Sequence, residues 1–141
     1  RSKGRMPHSK IHFAICPVGR KIWFATHVSG AVNAGDIVGP VGRGPIAHPL
    51  TGYEGGRLMC YDSVTGRTED YGVLVANEGV RCLQMSADGG IAYGITYPKH
   101  RFFMHDLVTR ETYISGRVGR FGGIDLFMDP RGTVWGTHDG Y

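Results

Sequence analysis

The sequence predicts an all-β protein, and three observations carry that expectation. Glycine makes up 23 of 141 residues, roughly twice its usual share. It has no three-residue period, so it reads as punctuation between short apolar runs rather than as collagen. Those runs are rich in Ile, Val, Tyr and Phe and are bounded by Gly, Asp, Asn and Ser, which is strand-and-turn chemistry. The chain also says nearly the same thing twice: MSADGGIAYGITY, beginning at Met85, returns as MDPRGTVWGTHDGY, beginning at Met128, about 43 positions later.

Taken in order, residues 1–10 are basic and aperiodic and read as a tail or edge segment. Strands are expected near 11–16 and 21–27, separated by the Pro17-Val18-Gly19-Arg20 turn. A long glycine- and proline-rich stretch, 28–55, then interrupts the pattern. It is roughly 25 residues longer than the corresponding link further on, and long loops in compact domains are commonly binding loops. GRLMCYDSVTGRTEDYG (from Gly56) and HRFFMHDLVTRETYISG (from His100) form a second repeating pair. Each reads as strand, turn, strand, with strands near 57–62 and 67–71, then 101–106 and 111–115. Strands near 80–86 and 91–97 flank the Asp88-Gly89 turn. The last pair is expected near 122–128 and 133–138.

One full unit thus holds four short antiparallel strands in about 43 residues, the dimensions of a β-propeller blade. The chain divides into a first blade at 11–72 with its insertion at 28–55, a second at 73–116, and half of a third at 117–141. This is a partial β-propeller of about two and a half blades, whereas propellers close with roughly 4–8. Either the chain belongs to a longer propeller or copies associate as a homo-oligomer to complete a ring.

The pattern GxLxxYDxxTGxxxDxG (from Gly56), followed by EGVRxLxMSxDG and YGITYP, resembles repeats of bacterial seven- or eight-bladed propellers. Among these are uncharacterised proteins and polysaccharide lyases of the ulvan and oligogalacturonate type. The resemblance covers the chain from about residue 11 and is more specific for the blade than for the activity. It implies an acidic polysaccharide or oligosaccharide as partner, β-elimination as the reaction, and a secreted or periplasmic location. The other class of function is a non-catalytic scaffold for proteins.

In a blade, the first-to-second and third-to-fourth turns share one end, and the remaining links share the other, where binding residues gather. His12, Glu78, Arg81 and Asp125 fall at or before the starts of innermost strands. His27, Tyr97, His100, His138 and Tyr141 fall at or after the ends of second strands. Arg117 and Arg120 lie on the link to the third unit, and His48 and Tyr53 near the end of the insertion. Elimination from a uronate needs a cation on the carboxylate, a base and an acid. His12 and His27 are the expected base and its partner, Arg81 the cation, and Tyr97 or Tyr53 the acid. His48, Tyr53, Glu78, His100, Arg120 and His138 are the expected substrate contacts. Each also has a structural reading, as a hydrogen-bonding histidine, a packed tyrosine, or an Arg81–Glu78 ion pair.

The formal charge of +4 admits an acidic partner without choosing one. The basic residues are scattered beyond the first ten positions, so nucleic acid is not expected. No run approaches the roughly 18 apolar residues of a membrane helix, and no apolar signal-peptide core opens the chain. Cofactors are expected to be none. A zinc ion on His12, His27, His48 and His138 is the minor alternative, without HxH or HExxH spacing to support it. Cys16, Cys60 and Cys82 form no CxxC pair. Cys16 falls on the column of Met85 and Met128, and Cys60 on that of Met104, so they read as small core hydrophobes. Trp23 or Phe24, Tyr93 and Trp135 form an aromatic column expected to pack between units.

Overall fold

The structure is a computed structural model that describes residues 9–28, 54–97, 99–118 and 125–137. The protein is all-β: every regular element among the described residues is a strand. The strands are β1 (Ser9–Val18), β2 (Lys21–Val28), β3 (Gly55–Asp62), β4 (Arg67–Ala76), β5 (Gly79–Met85), β6 (Ile91–Tyr97), β7 (Arg101–Asp106), β8 (Thr112–Arg117), β9 (Leu126–Met128) and β10 (Val134–Gly136). Each lies on or beside an expected strand, because alternation and turn residues both mark it.

Two antiparallel meanders, β1–β4 and β5–β8, are joined into one eight-stranded sheet of order β4-β3-β2-β1-β5-β6-β7-β8. The join is a parallel pairing of Phe13 with Cys82. The sheet is curled into an open half-barrel. Ala14, Cys16, Trp23, Ala25, Leu58 and Cys60 of the first meander meet Leu83, Met85, Ala92 and Phe103 of the second in one buried cluster. This is where the apolar burial that drives folding is concentrated. The outer strand β4 carries Arg67, Thr68, Glu69 and Asp70, all exposed; such charges on a sheet edge discourage pairing with another chain.

Turn chemistry explains the repeat. Asp62 Oδ1 accepts from the backbone N–H groups of Val64 (2.9 Å) and Thr65 (3.1 Å). Asp106 Oδ1 accepts from those of Val108 (2.7 Å) and Thr109 (2.9 Å). These bonds hold both carboxyls below the ordinary carboxylate range. The fourth turn position is left-handed in both, with φ 68° at Gly66 and φ 63° at Arg110. Each turn is tied to its neighbour in the same way: Ser63 N–H donates to the Arg20 carbonyl and Leu107 N–H to the Gly90 carbonyl.

The pairing register defines which residues are equivalent. Ile22 faces Tyr61, Trp23 faces Cys60 and Phe24 faces Met59. In the second meander Ala92 faces His105, Tyr93 faces Met104 and Gly94 faces Phe103. Trp23 is therefore the counterpart of Tyr93, and Ile22 of Ala92. On the innermost strands Pro17 pairs Ile22 and Cys16 pairs Trp23, while Met85 pairs Ala92 and Gln84 pairs Tyr93. This corrects the expected column by one residue: Met85 corresponds to Pro17, and Cys16 to Gln84. Cys60 and Met104 do correspond, but Cys60 is buried at 2% exposure and Met104 lies at 37%.

A one-residue offset reverses the face, because strand side chains alternate. Sheet faces that correspond are thus not the faces that touch. The Trp23 side of the first meander packs on the Ala92 side of the second, whose counterpart in the first meander is the Ile22 side, on the convex surface. The short β9–β10 hairpin pairs Met128 with Val134, Phe127 with Trp135 and Leu126 with Gly136, the same register again. It lies beside β5, and the Asp125 carboxylate next to it helps raise the Cys82 thiol, although burial is the larger cause.

Candidate functional site

The links β2-to-β3, β4-to-β5, β6-to-β7 and β8-to-β9 all leave from one end of the sheet, the end opposite the Asp-stabilised turns. Side chains from both meanders meet there. The His27 ring, at the end of β2, lies edge-on to the Tyr97 ring at the end of β6, centroids 4.8 Å apart. Tyr97 in turn lies edge-on to His100, at 5.7 Å. His27 and His100 are buried, at 6% and 5% exposure, and Tyr97 is half-buried. Three rings thus make a continuous chain across the junction of the meanders.

Glu78, one residue before the Gly79 that pairs with Tyr97, has 0% exposure. A buried carboxylate must be paired, and here Arg101 binds both its oxygens. The Arg101 Nη2 contact goes to Oε1, and Nε lies 3.4 Å from Oε2. Lys99 Nζ is 3.5 Å from Oε1. The Glu78 main chain also ties the meanders together, its carbonyl accepting from Gly56 N–H at 2.8 Å. A Cβ on Gly56 would run into the Thr26 carbonyl and the Val80 nitrogen, so only glycine admits this close approach.

Arg101 is also placed from its own backbone, whose N–H donates to Thr96 Oγ1 at 3.0 Å. The first meander repeats the device: Arg57 N–H donates to Thr26 Oγ1 at 2.8 Å. Arg57, however, pairs with the exposed Glu54 and Asp70. The same backbone fixture therefore presents an arginine to two exposed carboxylates in one meander and to a buried carboxylate in the other. Arg117 stands directly across from Arg101 on β8. Like charges directly opposite are unfavourable in a sheet; Lys99 and Arg101 both pair with the Glu78 carboxylate, and Arg117 adds a third cation to this stretch of the rim.

The sequence-expected residues divide clearly. The structure brings His27, Tyr97, His100 and Glu78 together. Arg81 lies at a β5 irregularity between Val80 and Cys82, and its Nε is buried without a hydrogen-bond partner among the described residues. The expected Arg81–Glu78 pair is not formed; Arg101 and Lys99 take Glu78 instead. His12 lies on β1, but its side chain is outside the described residues, as are His48, Tyr53, Arg120 and His138. Among the zinc candidates only the His27 side chain is therefore placed, and among the described residues no three His, Cys, Asp or Glu groups come together as a metal site. Lys99 and Arg101 escaped the sequence reading. Arg101 aligns with Arg57 in the second repeating pair, but the insertion between Thr26 and Arg57 hides the shared threonine fixture.

The three cysteines are buried and unbridged. Desolvation raises the Cys60 thiol and pushes Cys82 up to about 11, away from nucleophile chemistry. Among the described residues no helix is long and apolar enough to cross a membrane. No protein family and no curated protein matches this chain.

Proposed function

We propose that the two meanders and the β9–β10 hairpin are successive blades of a β-propeller, and that their shared rim binds an acidic saccharide. The blade reading is supported by four-stranded meanders that meet through their first strands and stack head to tail, as blades do around an axis. The saccharide reading rests on one observation: the His27–Tyr97–His100 ring chain lies beside Lys99, Arg101 and Arg117. Tyr97, the half-buried ring of the three, offers a sugar an apolar face and a polar hydroxyl, and the exposed Arg117 carries a guanidinium that matches a carboxylate in geometry.

The depth of the histidines argues against either one acting as the base. At 6% and 5% exposure, His27 and His100 are poorly placed to take a proton from a polymer. Elimination is the narrower version of the proposal. In it Tyr97 is the reactive side chain and the cation is Arg101 or Arg117 rather than Arg81.

Titration of a galacturonate oligosaccharide and of its methyl ester, followed by calorimetry, tests the reading. The free acid is expected to bind, and Arg117→Gln to weaken it about fivefold, the equivalent of roughly 1 kcal/mol. Loss of charge in the ester should weaken binding to a similar degree. Absence of binding by every acidic oligosaccharide tried at millimolar concentration would refute it. Appearance of the ultraviolet absorbance of an unsaturated uronate would add the elimination step.

A further inference from the structure

We infer that the convex face of the first meander docks a second copy of this chain, through the exposed side of that copy's β9–β10 hairpin. The inference extends the blade reading and is independent of saccharide binding. Among the described residues, Ile11, Phe13, Ile15, Ile22 and Tyr61 are exposed at 42%, 53%, 52%, 38% and 36%. They lie on β1, β2 and β3 of one sheet face, since Ile15 pairs Phe24 and Ile22 pairs Tyr61. Contiguous apolar surface of this kind is uncommon on a lone soluble domain and marks an interaction site.

The chain itself shows what such a face receives. In the second meander the counterparts of Ile15, Ile22, Met59 and Tyr61 are Leu83, Ala92, Phe103 and His105. All four are buried, and the hydrophobic three pack against Trp23 and its neighbours. The covering surface is therefore the Trp23 side of the preceding unit. The same register makes Trp135 the β10 counterpart of Trp23, and Phe127 the β9 counterpart of Cys16. Phe127 and Trp135 stack at 6.4 Å and are exposed at 56% and 52%. One end of the molecule presents the covering surface, and the other presents the surface to be covered.

The two surfaces differ, so the contact is heterologous: it adds copies in one direction, into a ring or a chain. A two-fold dimer would need one surface that pairs with itself.

The test is sedimentation of the 141-residue chain, alone and mixed, across a micromolar range. Ile22→Asp disables the receiving face and Phe127→Asp the covering face, both at exposed positions. The wild-type chain is expected to self-associate, and each variant alone to sediment as a monomer, with association weakened at least about tenfold. Mixing the two variants should restore one intact interface and yield a dimer that grows no further. Ile15→Asp and Trp135→Asp repeat the pair from neighbouring positions, and circular dichroism confirms that each variant is folded. A monomeric wild-type chain, a mixture that stays monomeric, or variants that associate as well as wild type would each overturn the inference.

Discussion

The two meanders share a strand register and differ in what lies against it. Phe103 in the second and Met59 in the first are counterparts. Phe103 has 0% exposure, packed against the Trp23 side of the first meander, while Met59 sits half-buried on the convex face. Facing them are Gly94 and Phe24. A Cβ on Gly94 would collide with the Phe103 ring and lie 2.7 Å from the Cys82 carbonyl; in the first meander the half-buried Phe24 occupies the corresponding place. Coverage, rather than strand pairing, has shaped the residue choice. The rim teaches the same lesson, since identical threonine fixtures hold Arg57 on exposed carboxylates and Arg101 on a buried one.

The largest expected effect breaks the comparison at its core. Phe103→Ala should destabilise the fold by about 3–5 kcal/mol, the range for emptying a buried phenylalanine site. Met59→Ala should cost well under half of that. Urea unfolding of both variants checks this, and equal costs would mean that the two faces are equally covered.

His105 sharpens the comparison through pH. Its Nδ1 lies 2.8 Å from Thr112 Oγ1, and that hydroxyl donates to the Leu74 carbonyl of the first meander. Burial, assisted by Arg110 and opposed by Asp106, lowers its affinity for a proton. The unfolded chain therefore takes up a proton first as pH falls. Stability should begin to fall below about pH 6.5, the unperturbed histidine value, and continue falling until the folded pKa is passed. His105→Gln should flatten that part of the urea-midpoint profile. The turn carboxylates Asp62, Asp88, Asp106 and Asp129 have lowered values. Their contribution is complete above the unfolded carboxylate value, about 4, and is lost only as pH falls through their folded values, so the two windows separate.

The smallest effect lies in the turns. Arg110 holds φ 63° where the first meander has Gly66 at φ 68°. Arg110→Gly should gain up to about 1 kcal/mol and Gly66→Ala should lose about as much, read as opposite shifts in thermal midpoint.

The strands and turns were legible because alternation and Asp-Gly chemistry are local. The register was less so. Both faces of β1 are apolar, Ala14 and Cys16 on one side and Ile11, Phe13 and Ile15 on the other. Matching Cys16 to Met85 by hydrophobicity therefore slipped by one residue. Most of the placed rim could be read as well: His27, Tyr97 and His100 meet at strand ends as their positions imply, and only Lys99 and Arg101 were missed. The partner of Glu78 could not be read, since proximity in sequence favoured Arg81. The pairing of β6 with β7 instead carries Arg101 to it, with the Thr96 hydroxyl fixing the backbone.

The aromatic column offers the most direct measurement: acrylamide quenching of two single-tryptophan variants at low protein concentration. Trp135→Phe leaves Trp23, at 2% exposure, and Trp23→Phe leaves Trp135, at 52%. If successive sheets stack head to tail, Trp23 should resist quenching until the protein unfolds, and Trp135 should be quenched readily in the native state. Equal native-state quenching of the two would contradict the stacking from which the rim and the open face are both derived.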